Sequence, residues 1–175
     1  MPELLEQLRD ENVTISELLD DLWNEAVRLN SHGVGNTARI ATALDYLLTF
    51  PSTSHHPTED LIHQRLYLRA PAAADAVGLI EVDHIELNRE LERAKTAFVC
   101  LGPFAGPRAR ARFADDARAY VWHARAHIEL EETVLYPAAE RLLRPEDWLE
   151  IERAVSPLPV ELPMVEQAGR QFAMR

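Results

Sequence analysis

The sequence predicts an all-α fold: an up-down-up-down antiparallel four-helix bundle with a kinked second helix and a short C-terminal fifth helix. Three observations predict it. Apolar residues recur at alternating steps of three and four along four long stretches, which is the core-facing stripe of a packed helix. Nothing alternates with period two over a useful length, so no strand is expected. The connections between the stretches are short, which forces antiparallel neighbours.

The first helix spans about residues 3–31, with the inward seam Leu5, Leu8, Asn12, Ile15, Leu19, Leu22, Ala26 and Leu29. The glycine-containing stretch from Asn30 to Gly35 ends it. A second run begins near Thr37 and carries Ile40, Ala43, Leu44, Leu47 and Leu48. Pro51 and the cluster Ser52, Thr53 and Ser54 interrupt it, which predicts a kink. It resumes to about Arg69 along His55, Glu59, Ile62 and Leu66. Pro71 starts a third helix expected to reach about Leu101, with Ile80, His84, Leu87, Leu91, Ala94 and Phe98 facing inward. Gly102, Pro103, Gly106 and Pro107 mark a turn. The fourth helix runs to about Leu143, bent near Pro137, on the seam Phe113, Ala117, Tyr120, Ala124, His127, Glu131, Val134 and Ala138. Pro145 opens the fifth helix, which holds Trp148 and Ile151, with Glu146 and Asp147 favouring its N-terminus. Residues 1–154 thus form the bundle. Residues 155–175 form a tail with Pro157, Pro159 and Pro163, expected to run extended over the bundle surface.

Bulk properties narrow the function. A chain of 175 residues supports one domain with a sizeable core. A formal charge of −11 argues against nucleic acid and anionic membrane surfaces, which attract clustered Lys and Arg. No apolar run approaches the roughly 20 residues of a membrane span. The acidic start MPELLEQLRDE lacks a basic-then-apolar signal segment, and Cys100 is the single cysteine, so a reducing cytoplasm is expected. Cys100 and the tryptophans Trp23, Trp122 and Trp148 are expected to pack rather than to carry chemistry.

The informative positions are polar residues on the apolar seams: Asn12, His55, Glu59, His84, His127 and Glu131. Burying such groups costs several kcal/mol unless they are paired or bind a metal. At about 1.5 Å per residue, all six lie roughly 14–24 Å from the same end of the bundle, so they converge in one or two layers. His55 with Glu59, and His127 with Glu131, are His-x-x-x-Glu pairs that project from one helix face a turn apart. Three imidazoles and two carboxylates suit iron, manganese or zinc and disfavour calcium. Two carboxylates able to bridge, in a bundle core, favour a dinuclear iron site. His63, one turn beyond Glu59, and His123, one turn before His127, flank the site face and are further candidates, as is Asn12. His56 is expected to start the resumed helix and face outward. Glu11, Asp60 and Glu132 are assigned to solvated faces or to contacts behind the ligands.

The segments His55-His56-Pro57-Thr58-Glu59-Asp60-Leu61, Asp83-His84-Ile85-Glu86-Leu87 and the run from His127 to Pro137 resemble the hemerythrin-like, HHE cation-binding domains. The first helix, with Leu8 to Val13 before Leu18 and Leu19, resembles that family's first-helix motif, and the likeness covers about residues 1–152. The resemblance implies a four-helix bundle around a non-haem di-iron centre. Carried over, His55, His84 and His127 are terminal ligands, and Glu59 and Glu131 are bridges. One position departs: the family has histidine where this chain has Asn12, a weaker neutral donor. That departure leaves either a di-iron centre with one labile iron or a single-metal site.

The function expected is therefore binding, sensing or detoxification of O₂, NO or peroxide at a non-haem iron site, with no nucleic-acid or membrane partner. The alternative is a regulatory or interaction bundle whose metal site is structural, mononuclear or degenerate, with the tail after Ser156 as a docking segment. Other chemistries lack their residues. Only Glu81 with His84 fits the Glu-x-x-His motif of ferritin-like oxidases, and Cys100 lies about 24 Å along its helix from His84.

Overall fold

The computed structural model describes residues 2–102 and 104–155. Its helices are α1 (Glu3–His32), α2 (Thr37–Phe50), α3 (His56–Arg69), α4 (Pro71–Val77), α5 (Ile80–Val99), α6 (Pro107–Leu130), α7 (Tyr136–Leu142) and α8 (Pro145–Val155). Among the described residues there is no strand. Two wide π-helical turns, Pro51–His55 and Glu131–Leu135, join α2 to α3 and α6 to α7 without a break. The proposed course of the tail from residue 156 onward lies outside the described residues.

Local chemistry places the helix ends. Gly33 closes α1 in the left-handed region at φ 70°, its N–H bonded to Leu29 O. The Asn36 side chain caps α2 by accepting from the Arg39 N–H at 3.0 Å. Pro71, Pro107 and Pro145 each open a helix, where the missing N–H costs nothing. The single third helix expected from Pro71 to Leu101 is two. Gly78, at φ 84° and ψ −152°, ends α4 in a conformation that glycine adopts freely, and α5 restarts at Ile80.

The wide turns replace the bends expected at Pro51 and Pro137, and they have a steric cause. A proline ring inside a helix collides with the carbonyl four residues back. For Pro57 and Pro137 those carbonyls belong to Thr53 and Thr133, both inside a wide turn whose added girth makes room. The turns also reset which face points inward. Leu47, Pro51, His55 and Glu59 are all buried at steps of four, a spacing that would drift about 120° around a regular helix over three steps. After the second turn the buried position is Leu135 rather than the expected Val134, one residue later.

α1 and α5 both pack against α2 and α6, closing a ring of four neighbours, and α3 packs against α4, α7 and α8. The core is divided in two. One apolar cluster holds Ile15, Leu19, Leu22, Leu44, Leu87, Leu91 and Phe113. The other holds Leu5, Leu8, Ile62, Leu66, Ile80, Leu135 and Trp148. Each long helix passes through both clusters, and the chain reverses direction each time: Leu8 to Ile15, Leu47 to Ile62, Ile80 to Leu87, Ala124 to Leu135. The residues between those pairs include Asn12, His55, Glu59, His84, His127 and Glu131, all buried. Away from this layer, Cys100 and Trp122 are exposed rather than packed, because Cys100 follows the end of α5 and Trp122 lies on the outer face of α6.

Candidate metal centre

The polar layer brings its donors together. Ligand-capable atoms of His56, Glu59, His84 and His127 lie within 4.8 Å of one another, and so do those of His55, Glu59 and Glu131. Glu59 belongs to both groups, and the two groups stand side by side. Its Oε1 lies 3.4 Å from His55 Nε2, and its Oε2 lies 3.4 Å from His84 Nε2. His127 Nε2 lies 2.6 Å from Glu131 Oε1, yet the two are not aligned for a hydrogen bond. The buried atoms left without a hydrogen-bond partner include Glu59 Oε2, His84 Nε2, His127 Nε2 and Glu131 Oε1. Buried polar atoms are nearly always satisfied. Four orphans on facing side chains make a place that could hold a cation, and imidazole with carboxylate is a fitting donor set.

Carboxylates behind the imidazoles fix how the rings point. His55 Nδ1 is 2.8 Å from Glu11 Oε2, His84 Nδ1 is 2.9 Å from Asp60 Oδ1, and His127 Nδ1 is 3.1 Å from Asp83 Oδ2. An Nδ1–H donated to an acid would leave each ring free to turn an unprotonated Nε2 inward on binding a metal, the tautomer a metal needs. His123 extends one of these contacts, with Nε2 at 3.3 Å from Asp83 Oδ1 and Nδ1 at 3.0 Å from Glu90 Oε2. His123 therefore buttresses Asp83 and does not enter the cluster. His63 also turns elsewhere, with Nε2 at 3.3 Å from Ala74 O.

His56 faces the site rather than solvent. Its ring stacks on His84 at 4.0 Å and 7°, and meets His127 edge-on at 5.9 Å. Burial, and then the charges of His84, His55 and His127, push it down to about 2, so its ring is a neutral donor. Two consecutive histidines can both reach the centre because His55 closes the wide turn and His56 starts α3. Complete burial, and then the Glu131 carboxylate, push Glu59 well above the usual range.

Asn12 enters the layer as a hydrogen-bond donor. Its Nδ2 lies 3.2 Å from each of Glu131 Oε2, Glu132 Oε1 and Tyr136 Oη. Ionised carboxylates only accept, so the NH₂ must face them. Asn12 Oδ1 is left buried without a partner. Tyr136 in turn donates its O–H to Glu59 Oε1. Burial, and then the Glu59 and Glu131 carboxylates, hold that phenol far above its ordinary value, so it stays a donor.

Sequence reasoning brought His55, Glu59, His84, His127 and Glu131 to one layer, and the structure places them there. It passed over His56, Asp83 and Tyr136. The adjacent pair His55-His56 just before Pro57, and the adjacent pair Asp83-His84, were the available signals. A family model described as the hemerythrin HHE cation binding domain matches residues 3–139. No curated protein and no solved structure matches the chain.

Proposed function

The chain belongs to the hemerythrin HHE cation-binding domain family, and from that premise and the converging donors we propose that it holds a pair of non-haem iron ions in its core to bind O₂, NO or hydrogen peroxide. The observation that carries this is the double membership of Glu59. One group, His56, Glu59, His84 and His127, offers three imidazoles and a carboxylate; the other, His55, Glu59 and Glu131, offers one imidazole and two carboxylates. The pair shares a bridging acid, which favours two ions over one. Iron tolerates both donor sets, while manganese and zinc remain chemically competent for them.

The groups are unequal. The second has three donors, and the neutral oxygens beside it are the unpartnered Oδ1 of Asn12 and the Tyr136 phenol. That favours one firmly held ion and one exchangeable ion. When bound, the ions supply open coordination positions and redox capacity. The chain supplies a cavity of about 20 Å³ lined by Ile15, His55, His56, Leu87, Ala124 and His127 among others. A cavity needs roughly 10–15 Å³ to admit a water, and because the donors His55, His56, His127 and Glu131 wall this one, it is the space the ions themselves would share with no more than a small ligand. Its wall mixes donor side chains with Ile15, Leu87, Ala124 and Ile128, and its size excludes larger substrates. The reading thus favours sensing or detoxifying a small oxidant, in the cytoplasm, over transport of a bulky ligand.

Elemental analysis of protein purified without chelators tests the proposal. Stoichiometric iron with near-ultraviolet absorption from a ferric pair is the expected result. Protein that carries no stoichiometric iron, manganese or zinc would overturn it. The substitution at Asn12 favours one second reading, a single-ion site in the His56, His84 and His127 group. It predicts one ion per chain at saturating iron.

A further inference from the structure

Glu59 can serve two ions only if its carboxylate is held so that each oxygen faces a different donor group. A free carboxylate in a core offering one strong imidazole-rich pocket would instead turn and chelate that single ion with both oxygens. The structure contains a side chain placed to prevent this. Tyr136 is fully buried at the start of α7, immediately after the wide turn that begins at Glu131. Its O–H donates to Glu59 Oε1, the oxygen on the His55 side, while Oε2 on the His84 side has no hydrogen-bond partner. The phenol is itself held. Asn12 Nδ2 donates to its oxygen at 3.2 Å, and the Arg9 guanidinium sits 5.7 Å from the ring centroid.

We propose that Tyr136 is a positioning residue that divides the two oxygens of Glu59 between the two donor groups and thereby creates the second ion site. This rests on the metal-binding reading above. A carboxylate oxygen has about two acceptor directions. Tyr136 occupies one on Oε1 and leaves the other for the His55 side, where Nε2 lies 3.4 Å away. With an ion bound and Glu59 ionised, rotating it to chelate at the His84 side would break a charge-assisted O–H bond inside the core, among the stronger hydrogen bonds available. Packing alone does not explain the residue, because phenylalanine would fill the same space.

The test is Tyr136→Phe, titrated anaerobically with ferrous iron against a competing chelator, with elemental analysis after desalting. Wild-type protein is expected to load two ions. The variant is expected to load the His56, His84 and His127 group with unchanged affinity and the His55 and Glu131 group about 10–100-fold more weakly, the usual cost of losing a partner that orients a ligand. Retention of the first ion also reports that the variant is folded. Two ions bound with wild-type affinity, or an equal weakening of both, would overturn the inference and leave the metal-binding reading standing. Wild-type protein that binds no ion would overturn both. Should the variant not fold, infrared difference spectra of wild-type protein decide, taken with one and then two equivalents of iron. Carboxylate stretches of a bridging Glu59 are expected at the second equivalent, and a chelating pattern throughout would overturn the inference.

Discussion

Glu59→Gln removes one negative charge from the residue common to both donor groups, while keeping its size and an oxygen able to accept from Tyr136. Losing a partner that only orients a ligand weakens metal binding by about 10–100-fold. Two unit charges about 4 Å apart, at an effective dielectric near 20, are worth about 4 kcal/mol, a figure that a divalent ion doubles and that desolvation brings back down. A charged donor falls toward the upper end of that interval, about 3–4 kcal/mol, or on the order of 10²–10³-fold in affinity. Because Glu59 serves both groups, the loss applies to each ion. His84→Ala removes a donor from one group only, and His55→Ala from the other only. Anaerobic titration with ferrous iron against a chelator should therefore show both ions lost from the glutamine variant and one lost from each alanine variant. Circular dichroism of the metal-free proteins checks that the helices survive. A glutamine variant that keeps one ion at wild-type affinity would refute the sharing of Glu59.

Asn12→His gives the second group an additional imidazole and should raise iron retained after desalting toward two per chain, read by elemental analysis; unchanged retention would show that position 12 does not face the ions. Removing metal should lower the melting temperature. Two ions at about 100 times their dissociation constants contribute about 5 kcal/mol, which calorimetry would read as roughly 10–20 °C for a chain of this size. Asp147 provides a pH test away from the site. Its carboxylate accepts from Arg69 Nε at 2.8 Å and is held below its usual value chiefly by that guanidinium. A lowered folded value means the stabilisation is present above the unfolded carboxyl value of about 3.9 and fades as pH falls through the folded one. Asp147→Asn should therefore melt below wild type at pH 7, with the gap closing under about pH 4; a gap that is constant down to pH 2 would refute the assignment.

The fold and the five principal donors were legible because both rest on helical periodicity, which each residue reports through its spacing alone. Asn12, His84 and His127 stand on their seams where apolar side chains are otherwise regular, and burial made the convergence follow. What periodicity missed depends on backbone irregularity or on contacts between helices. The run Leu47, Pro51, His55 and Glu59 holds a step of four that no regular helix sustains, and reading it as a kink hid the inward turn of His56. Asp83 is 40% exposed by its side chain, so apolar periodicity cannot mark it, and its place shows only in the convergence of His127 and His123 on its carboxylate. Tyr136 sits one position beyond the wide turn, where the count of threes and fours no longer tells which side faces in. The break at Gly78 was masked by the helix-opening Pro71 and a run of alanines, which by propensity alone would continue a helix.

The two wide turns also act as frame-shifts in helical register. Each carries one residue more than a regular turn, and that residue is what lets the stretch beyond it, Ile62 and Leu66 in one case and Leu135 and Ala139 in the other, rejoin the core. Deleting a single residue from Pro51–His55 or Glu131–Leu135 would turn everything downstream by about 100° about its axis. It would carry Glu59 or Tyr136 off the shared layer and swing an apolar flank into solvent at the same stroke. Ion ligation and closure of the lower half of the core are thus written into the same five-residue segments, and an insertion or deletion there cannot disturb one without the other.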